Sequence, residues 1–471
     1  MPANDIIKKK VGFSAGILLF IIFLFLPVMN WQARAAMATL LLCATWWATE
    51  AIPLAATALL PAVILPLLGV LSLQETFSQY AHRIIFLFFG GFVIARAMIK
   101  WGLDRRIAIA ILSKGSSKSS ILILYFMIVT AVLSAFISNT ATTAMMLPIG
   151  MAVMLHVEMK EKQNYGKVLM LSIAYAATIG GVATLVGTPP NAIFAGFSET
   201  LLNKKITFSS WLTIGVPFAA IMLPTTWLYL IKKYHLHNVN VDKNFIEKER
   251  EKLGRMGREE KIVISVFLLV AFLWISRPLW DYIPLDFART MQQKMDDALI
   301  AIFGAILLFT IPSSIKKWKP LLEWRDIKEI PFDILILFGG GLAVGKALFE
   351  SGAAEFIAGR VEISQPLILL LFIITITSFL TEVASNTAVA NMMMPILVAI
   401  ASKTGMEAYA LMIPATLACS LAFMFPISTP PNAIVYSSGY VKMEDMIKVG
   451  VTLHIIGIAV IMFLSQVLPQ F

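Results

Sequence analysis

Charge is scarce in this sequence. Asp, Glu, Lys and Arg make up 14% of the 471 residues, whereas 58% are hydrophobic, and the mean hydropathy is +0.81. A soluble protein of this length carries more charge, and many stretches here approach the ~20 apolar residues that span a bilayer. The composition therefore predicts an all-α polytopic membrane protein.

Cysteine and histidine are also rare. Cys43 and Cys419 both lie in apolar segments, so we expect no disulfide framework. The five histidines are scattered, without the spacing of a metal site or a catalytic triad. The embedded carboxylates, such as Glu50 and Glu382, are isolated and do not form the acidic pair of an intramembrane enzyme. We therefore expect neither an enzymatic activity nor an organic cofactor.

Acidic residues are fewer than basic ones, with 28 Asp and Glu against 38 Lys and Arg. The basic residues lie in short loops, which is typical of positive-inside topology and not of a nucleic-acid surface. With Lys8, Lys9 and Lys10 placed in the cytoplasm, loop charges predict about eleven crossings, an external C-terminus and an inner (plasma) membrane location. The hydrophilic stretch 233–260 is interpreted as a cytoplasmic linker that is helical in its charged part.

Two polar phrases occur twice within the apolar sequence. SNTATTAMMLPI begins at Ser138 and SNTAVANMMMPI begins at Ser385; GTPPN follows the first at Gly187, and STPPN follows the second at Ser428. A single polar phrase of this kind is ordinary hydrogen bonding between membrane helices. Two copies in the same order indicate a duplicated transporter binding site.

The distribution of charge around these phrases predicts two re-entrant hairpins. Residues 119–157 have lysines on both sides and form a hairpin from the cytoplasm, whereas residues 365–402 form one from the outside. Helices 168–197 and 408–436 are broken at their Thr-Pro-Pro sequences, since proline blocks helix continuation. The expected fold is a pair of inverted five-helix repeats. The predicted domains are N-terminal and scaffold helices in 1–112, a first transport half in 113–232, the linker in 233–260, scaffold helices in 261–360 and a second transport half in 361–471.

Broken helices suit an anion bound beside cations. Helix amino ends attract anions and helix carboxyl ends attract cations. Removing a carboxylate from water costs several kcal/mol, whereas a helix terminus returns about 0.3–1 kcal/mol. The four phrases contain no Lys, Arg or His to supply the difference. Bound Na⁺ would supply the missing positive charge and the driving force for transport.

The paired Ser-Asn-Thr phrases and Thr-Pro breaks resemble the divalent anion/sodium symporter family, the INDY-type dicarboxylate and citrate transporters. The resemblance covers nearly the whole chain and implies a lipid-embedded homodimer that imports C4 dicarboxylates such as succinate with Na⁺, by an elevator motion. It implies substrate contacts from Ser138, Asn139, Thr140, Thr188, Ser385, Asn386, Thr387, Thr429 and Pro430. It implies a first sodium site at Ser134, Ser138, Asn139 and Gly187, and a second at Thr381, Ala384, Asn386 and Ser428.

Several alternatives stay open at this point. Within the family's range they are a sodium-independent dicarboxylate exchanger and a citrate or tricarboxylate carrier. A channel would also use re-entrant loops, but it would be expected to have an open polar pathway. Arg96 and Lys346 occupy equivalent repeat positions, and we interpret them as snorkelling or structurally paired residues.

Overall fold

The computed structural model describes residues 3–115, 118–155, 162–236, 244–282, 294–314, 318–360, 362 and 365–468. In this part of the chain almost all regular structure is helical. The α-helices are α1 Ala3–Phe25, α2 Trp31–Thr49, α3 Leu54–Leu67, α4 Leu73–Tyr80, α5 Arg83–Lys100, α6 Leu103–Leu112, α7 Ser119–Ser134, α8 Asn139–Met154, α9 Lys162–Val182, α10 Pro189–Leu202, α11 Phe208–Tyr234, α12 Asn244–Leu253, α13 Arg258–Ser276, α14 Asp297–Thr310, α15 Phe332–Glu350, α16 Ala353–Ala358, α17 Pro366–Val383, α18 Asn386–Thr404, α19 Ala408–Ala418, α20 Pro430–Ser437 and α21 Met443–Val467. Short 3-10 helices cover Arg277–Tyr282 and Trp324–Glu329, and β1 Pro312–Ser314 pairs antiparallel with β2 Lys319–Pro320.

The helices have the length and composition of a membrane protein. Among the described residues, eight helical segments are long and apolar enough to cross a bilayer, and α3, α7, α14 and α19 are shorter apolar helices. Long apolar side chains such as Leu67, Phe272 and Phe463 are exposed on the outer surface, as expected where lipid replaces water. The predicted all-α polytopic fold is confirmed, whereas the number of crossings stays a prediction.

The order of elements is duplicated. Helices α5 to α11 correspond in order and type to α15 to α21: a long helix, a short one, a hairpin, a broken helix and a final long helix. Gly102 and Gly352, aligned from sequence, both precede the short helix with positive φ angles of 68° and 79°. Glycine adopts this left-handed conformation without the Cβ penalty of other residues. The opposed orientation of the two repeats in the membrane stays a prediction.

Small residues allow the scaffold helices to pack closely. A Cβ added at Gly340 would lie 2.3 Å from the carbonyl oxygen of Ala58, and one added at its equivalent Gly90 would lie 2.7 Å from that of Ala301. Thus α15 packs on α3 and α5 packs on α14 through the same contact. The two repeats also meet directly, because α5 and α15 stack edge to face through Phe88 and Phe338, 5.2 Å apart.

The predicted hairpins and breaks are present with shifted boundaries. The first hairpin is α7 and α8, with residues 156–157 of its predicted span outside the described residues; the second is α17 and α18. The first broken helix extends beyond 168–197, from Lys162 to Leu202. The second break, residues 419–429, is longer than the first, residues 183–188. The amides of Phe423 and Met424 donate to the Glu382 carboxylate there and not to helix carbonyls, which prolongs the break.

The charged linker is helical in part, as predicted. Helix α12 lies within 233–260, and residues 237–243 are outside the described residues. Two ion pairs attach the linker and the start of α13 to α6: Arg105 with Glu249 at 2.7 Å, and Arg106 with Glu260 at 2.6 Å. The linker therefore packs against the helices that lead into the first hairpin.

Candidate functional site

The two hairpin tips and the two helix breaks meet at one cavity. Its volume is about 700 Å³, and α5 and α15 contribute Phe88, Phe92 and Leu337 to its wall. All nine residues predicted to contact substrate line it: Ser138, Asn139, Thr140, Thr188, Ser385, Asn386, Thr387, Thr429 and Pro430. Positions more than two hundred residues apart in sequence are therefore brought to one place by the duplicated fold.

Four helices begin at this cavity. Helices α8 and α18 begin at the Asn of each hairpin tip, and α10 and α20 begin at the Pro-Pro sequence of each break. The first turn of a helix leaves N–H groups without partners in the helix, and its dipole favours negative charge. Proline has no N–H, so α10 and α20 offer no donor at their first two positions. The amides available to an anion therefore come mainly from the two tips.

A group of oxygen atoms lies behind the first tip, and we call it the first oxygen cluster. The Ser134 hydroxyl is 2.7 Å from Asn139 Oδ1 and 2.7 Å from the Ala177 carbonyl oxygen. A Cβ added at Gly187 would lie 2.4 Å from the Gly181 carbonyl oxygen. One hydroxyl proton cannot satisfy both acceptors of Ser134. Such a set of oxygens, at an unwound helix, is suited to a hard cation such as Na⁺.

The second tip has the same arrangement, and we call it the second oxygen cluster. The Thr381 hydroxyl is 2.6 Å from Asn386 Oδ1 and 2.7 Å from the Cys419 carbonyl oxygen. Ala384 caps the carboxyl end of α17. Both Ala384 and Ser428 line the cavity. The residues assigned to two sodium sites by resemblance therefore fall into two equivalent groups, one behind each tip.

Sequence reasoning missed the role of the two asparagines that end the Pro-Pro phrases. Asn191 Nδ2 donates to the Thr184 and Val182 carbonyl oxygens at 2.8 and 3.2 Å. Asn432 Nδ2 donates to the Ala422 and Phe425 carbonyl oxygens at 3.1 and 3.0 Å. Both side chains are fully buried. Each therefore donates to carbonyl groups at the helix break, and the sequence signal was the repeated Asn two positions after the first proline.

The embedded charges fall into different classes. Arg96 pairs with Glu329 at 2.7 Å and Lys346 lies 3.6 Å from Glu350, which agrees with the interpretation of structural pairing. Glu50 is exposed at the carboxyl end of α2. Only Glu382, among the embedded charges considered from sequence, is fully buried beside a predicted cation site. The charged residues that line the cavity are Lys8, Lys9, Glu50 and Asp333.

The whole chain is similar to one protein family. The sodium:sulfate symporter transmembrane region matches residues 8–468. The chain belongs to this family of divalent anion/sodium symporters. It is accordingly a multi-pass integral membrane transporter, and the family resemblance inferred from the Ser-Asn-Thr and Thr-Pro phrases is confirmed.

Named relatives within the family are similar over nearly their full length. A sodium-dependent dicarboxylate transporter, SdcS, of Staphylococcus saprophyticus is 39% identical over 473 residues, covering 97% of this chain and 90% of the relative. The protein of the same name from Staphylococcus aureus strain RF122 is 38% identical over 493 residues, covering 98% and 93%. The similarity therefore extends over nearly the full length of this chain and of both relatives.

Solved structures with the same fold are more distant. The Alcanivorax borkumensis YdaH transporter superposes with a TM-score of 0.58 at 14% identity, covering 91% of this chain and 98% of that one. Neisseria gonorrhoeae MtrF superposes with a TM-score of 0.58 at 13% identity, covering 95% and 97%. At this level of identity the similarity is one of fold.

Proposed function

We propose that this symporter is a sodium-coupled secondary transporter that imports C4 dicarboxylates such as succinate. The observation that carries the proposal is the pair of equivalent oxygen clusters behind two asparagine tips that share one cavity. The names of the relatives, sodium-dependent dicarboxylate transporters, support the same substrate class and coupling ion.

Two tips suit a substrate with two carboxylates. Each tip offers an amide-bearing helix start together with the hydroxyl and carboxamide groups of a Ser-Asn-Thr sequence. In our proposal one carboxylate binds at the Asn139 tip and the other at the Asn386 tip, with Thr188 and Thr429 around them. The apolar wall formed by Phe88, Phe92 and Leu337 adds no charge that would compete with the tips.

Sodium ions in the two oxygen clusters would couple ion and substrate binding. Asn139 and Asn386 line the cavity, and each directs its Oδ1 to the hydroxyl of an oxygen cluster. A cation at that oxygen would fix the carboxamide so that its NH₂ group faces the substrate. The positive charge would also offset the cost of desolvating a dianion, which helix ends alone do not repay.

We propose an elevator motion for alternating access. The mobile unit comprises α7–α11 and α17–α21, which contain both tips and both breaks, and the scaffold comprises α1–α6 and α13–α16. Because all the proposed substrate and cation ligands lie in the mobile unit, substrate and ions would move together past α5 and α15. We further propose a homodimer in the inner membrane with a cytoplasmic amino end.

Uptake of labelled succinate into proteoliposomes tests the function. We expect uptake to require an inward Na⁺ gradient and to stop when Na⁺ is replaced by K⁺ or choline. Uptake that persists without Na⁺ and depends on internal dicarboxylate would instead identify the exchanger. Citrate competing better than succinate would identify the tricarboxylate carrier, and the absence of counterflow of labelled substrate would contradict a carrier mechanism.

A further inference from the structure

Glu382 is a buried acid that the transport proposal does not yet use. It lies in the last turn of α17, between Thr381 and the tip, and is 1% exposed. Its Oε1 accepts hydrogen bonds from the amides of Phe423 and Met424 at 2.8 and 3.0 Å. Its Oε2 accepts one from the Ser428 hydroxyl at 2.6 Å. The carboxylate therefore links the second hairpin to the second helix break.

Backbone amides and one hydroxyl surround the Glu382 side chain. Oε1 accepts from two amides, and Oε2 lies 2.6 Å from the Ser428 hydroxyl oxygen, which is also 2.8 Å from the Glu382 carbonyl oxygen. The ion-pair partner that the structure gives to Glu382 is His454, whose Nδ1 is 3.5 Å from Oε1. At that distance the imidazole makes no hydrogen bond to the carboxylate. The polar neighbours of this buried carboxyl group are thus two backbone amides, the Ser428 hydroxyl and the His454 imidazole.

The first repeat has no such charge. Ala135 follows Ser134 as Glu382 follows Thr381, and Gly187 stands where the second repeat has Ser428. In each repeat, nevertheless, a hydroxyl donates a hydrogen bond to the equivalent backbone carbonyl. Thr184 donates to the Ala135 carbonyl oxygen, and Ser428 donates to that of Glu382 at 2.8 Å. The two oxygen clusters are therefore equivalent in geometry, but only the second has a carboxyl group beside it.

We propose that Glu382 is a positioning residue that makes the second oxygen cluster the tighter of the two cation sites. Its charge lowers the energy of a cation at the adjacent cluster, and its bond to Ser428 fixes the wall of that cluster. A cation then occupies the second cluster first and sets the second tip for substrate. This inference rests on the proposed sodium coupling.

The test measures the Na⁺ dependence of succinate uptake by reconstituted, full-length protein. Glu382→Gln keeps the size of the side chain and removes the charge. We expect the Na⁺ concentration for half-maximal uptake to rise by about tenfold, as loss of a charge near a cation predicts. The maximal rate at saturating Na⁺ should change less. Glu382→Asp keeps the charge and should recover most of the wild-type Na⁺ dependence.

Glu350→Gln is the matched control, because it removes a carboxylate of the same repeat that is paired within α15, and its Na⁺ dependence should equal that of the wild type.

If Glu382→Gln does not accumulate as folded protein, the Ser428→Gly variant tests the role of Glu382 instead. It removes the hydrogen bond to Oε2, keeps a backbone carbonyl at the position, and should raise the half-saturating Na⁺ concentration in the same direction.

Two outcomes are distinguishable. A wild-type protein whose uptake ignores Na⁺ would contradict the proposed function itself. If wild-type uptake depends on Na⁺ but a folded Glu382→Gln variant has the same Na⁺ dependence, only the role of Glu382 is overturned. If Glu382→Gln is unfolded, an unchanged Na⁺ dependence of Ser428→Gly overturns that role in the same way. A purely structural role predicts a lower maximal rate with the same half-saturating Na⁺ concentration.

Discussion

Asn139 and Asn386 have equivalent surroundings in the two halves of the molecule. Each carboxamide oxygen lies next to a hydroxyl five residues earlier, at 2.7 Å from Ser134 and 2.6 Å from Thr381. That hydroxyl also contacts a carbonyl oxygen of the broken helix in each repeat, from Ala177 in α9 or from Cys419 at the end of α19. The relationship connects a residue that lines the cavity to a cluster of oxygens behind it, which is the basis of the first two predictions.

Removing either tip carboxamide should strongly reduce transport. In Asn139→Ala or Asn386→Ala, the substrate loses a donor and the oxygen cluster loses an acceptor. A lost hydrogen bond to a charged group costs about 1.5–3 kcal/mol, which is roughly a tenfold to hundredfold loss of affinity. Labelled succinate uptake measures the effect. Asn203→Gly is the control, since Asn203 caps α10 in a left-handed conformation away from the cavity. Unchanged uptake by either tip variant would show that the site assignment is wrong.

Removing the hydroxyls should act on Na⁺ more than on substrate. Ser134→Ala and Thr381→Val each delete the oxygen that joins the tip to the next helix, so the Na⁺ concentration for half-maximal uptake should rise by about fivefold or more. Thr130→Val is the matched control, because the buried Thr130 hydroxyl bonds the Phe126 carbonyl of its own helix at 2.6 Å. A comparable loss of Na⁺ affinity in the control would attribute the effect to helix packing.

Space at Gly187 should be essential. A Cβ in Gly187→Ala would lie 2.4 Å from the Gly181 carbonyl oxygen and 3.0 Å from that of Ala135, which are backbone atoms that cannot rotate away. We expect folded protein with uptake reduced by at least about tenfold, because the first oxygen cluster must deform. In Gly91→Ala the nearest contact is Val186 at 3.8 Å, so uptake should be close to wild type. Equal activity of the two variants in succinate uptake would contradict the close packing at Gly187.

Much of this site follows from sequence because polar phrases are conspicuous in an apolar chain. The nine predicted substrate residues line one cavity, since duplication and proline breaks constrain where they can lie. Glu382 was not assigned a role, because two of its partners are the backbone amides of Phe423 and Met424, which have no side-chain signal. Helix α4 was missed although Ser72 and Glu75 form a capping box, because its eight residues are too few for a periodic pattern.

The asparagines of the breaks should be required for stability. Asn191→Ala removes one donor from each of the buried Thr184 and Val182 carbonyl oxygens and should cost about 1–3 kcal/mol. Asn191→Asp should be worse, because it places a carboxylate against the same carbonyls; Asn432 should behave alike. Thermal unfolding in detergent should therefore give the order wild type, then Ala, then Asp. Asn164→Asp adds the same charge at an exposed position and should unfold like the wild type. An Asp variant at 191 as stable as the wild type would refute the role of the amide.

An ion pair between the proposed mobile unit and the scaffold should bias the elevator. Arg83 at the start of α5 donates to Glu199 of α10 and, at 3.1 Å, to Asp296. Helix α10 begins at the cavity, so Glu199 lies roughly 15 Å along it, at 1.5 Å per residue. Glu199 does not line the cavity, so its substitution leaves the cavity wall unchanged. Because Arg83 belongs to the scaffold and Glu199 to the mobile unit, their ion pair would hold the mobile unit in the position seen here. Glu199→Gln should therefore shift the population about threefold to tenfold towards the opposite opening.

Thiol labelling measures that shift. Ile427 lines the cavity and is 79% exposed, so Ile427→Cys reports access when Cys43 and Cys419 are replaced by Ala. An impermeant maleimide is added to one side of sealed vesicles at a time. In Glu199→Gln, the labelling rate should be lower than in the wild type on the side to which the cavity opens in this structure. It should be higher than in the wild type on the opposite side. Glu350→Gln should leave both rates unchanged, because its pair with Lys346 lies within α15. Equal rates for Glu199→Gln and wild type on both sides would mean that the pair does not hold this position. Simultaneous fast labelling from both sides would contradict alternating access, since one cavity would then be open to both phases.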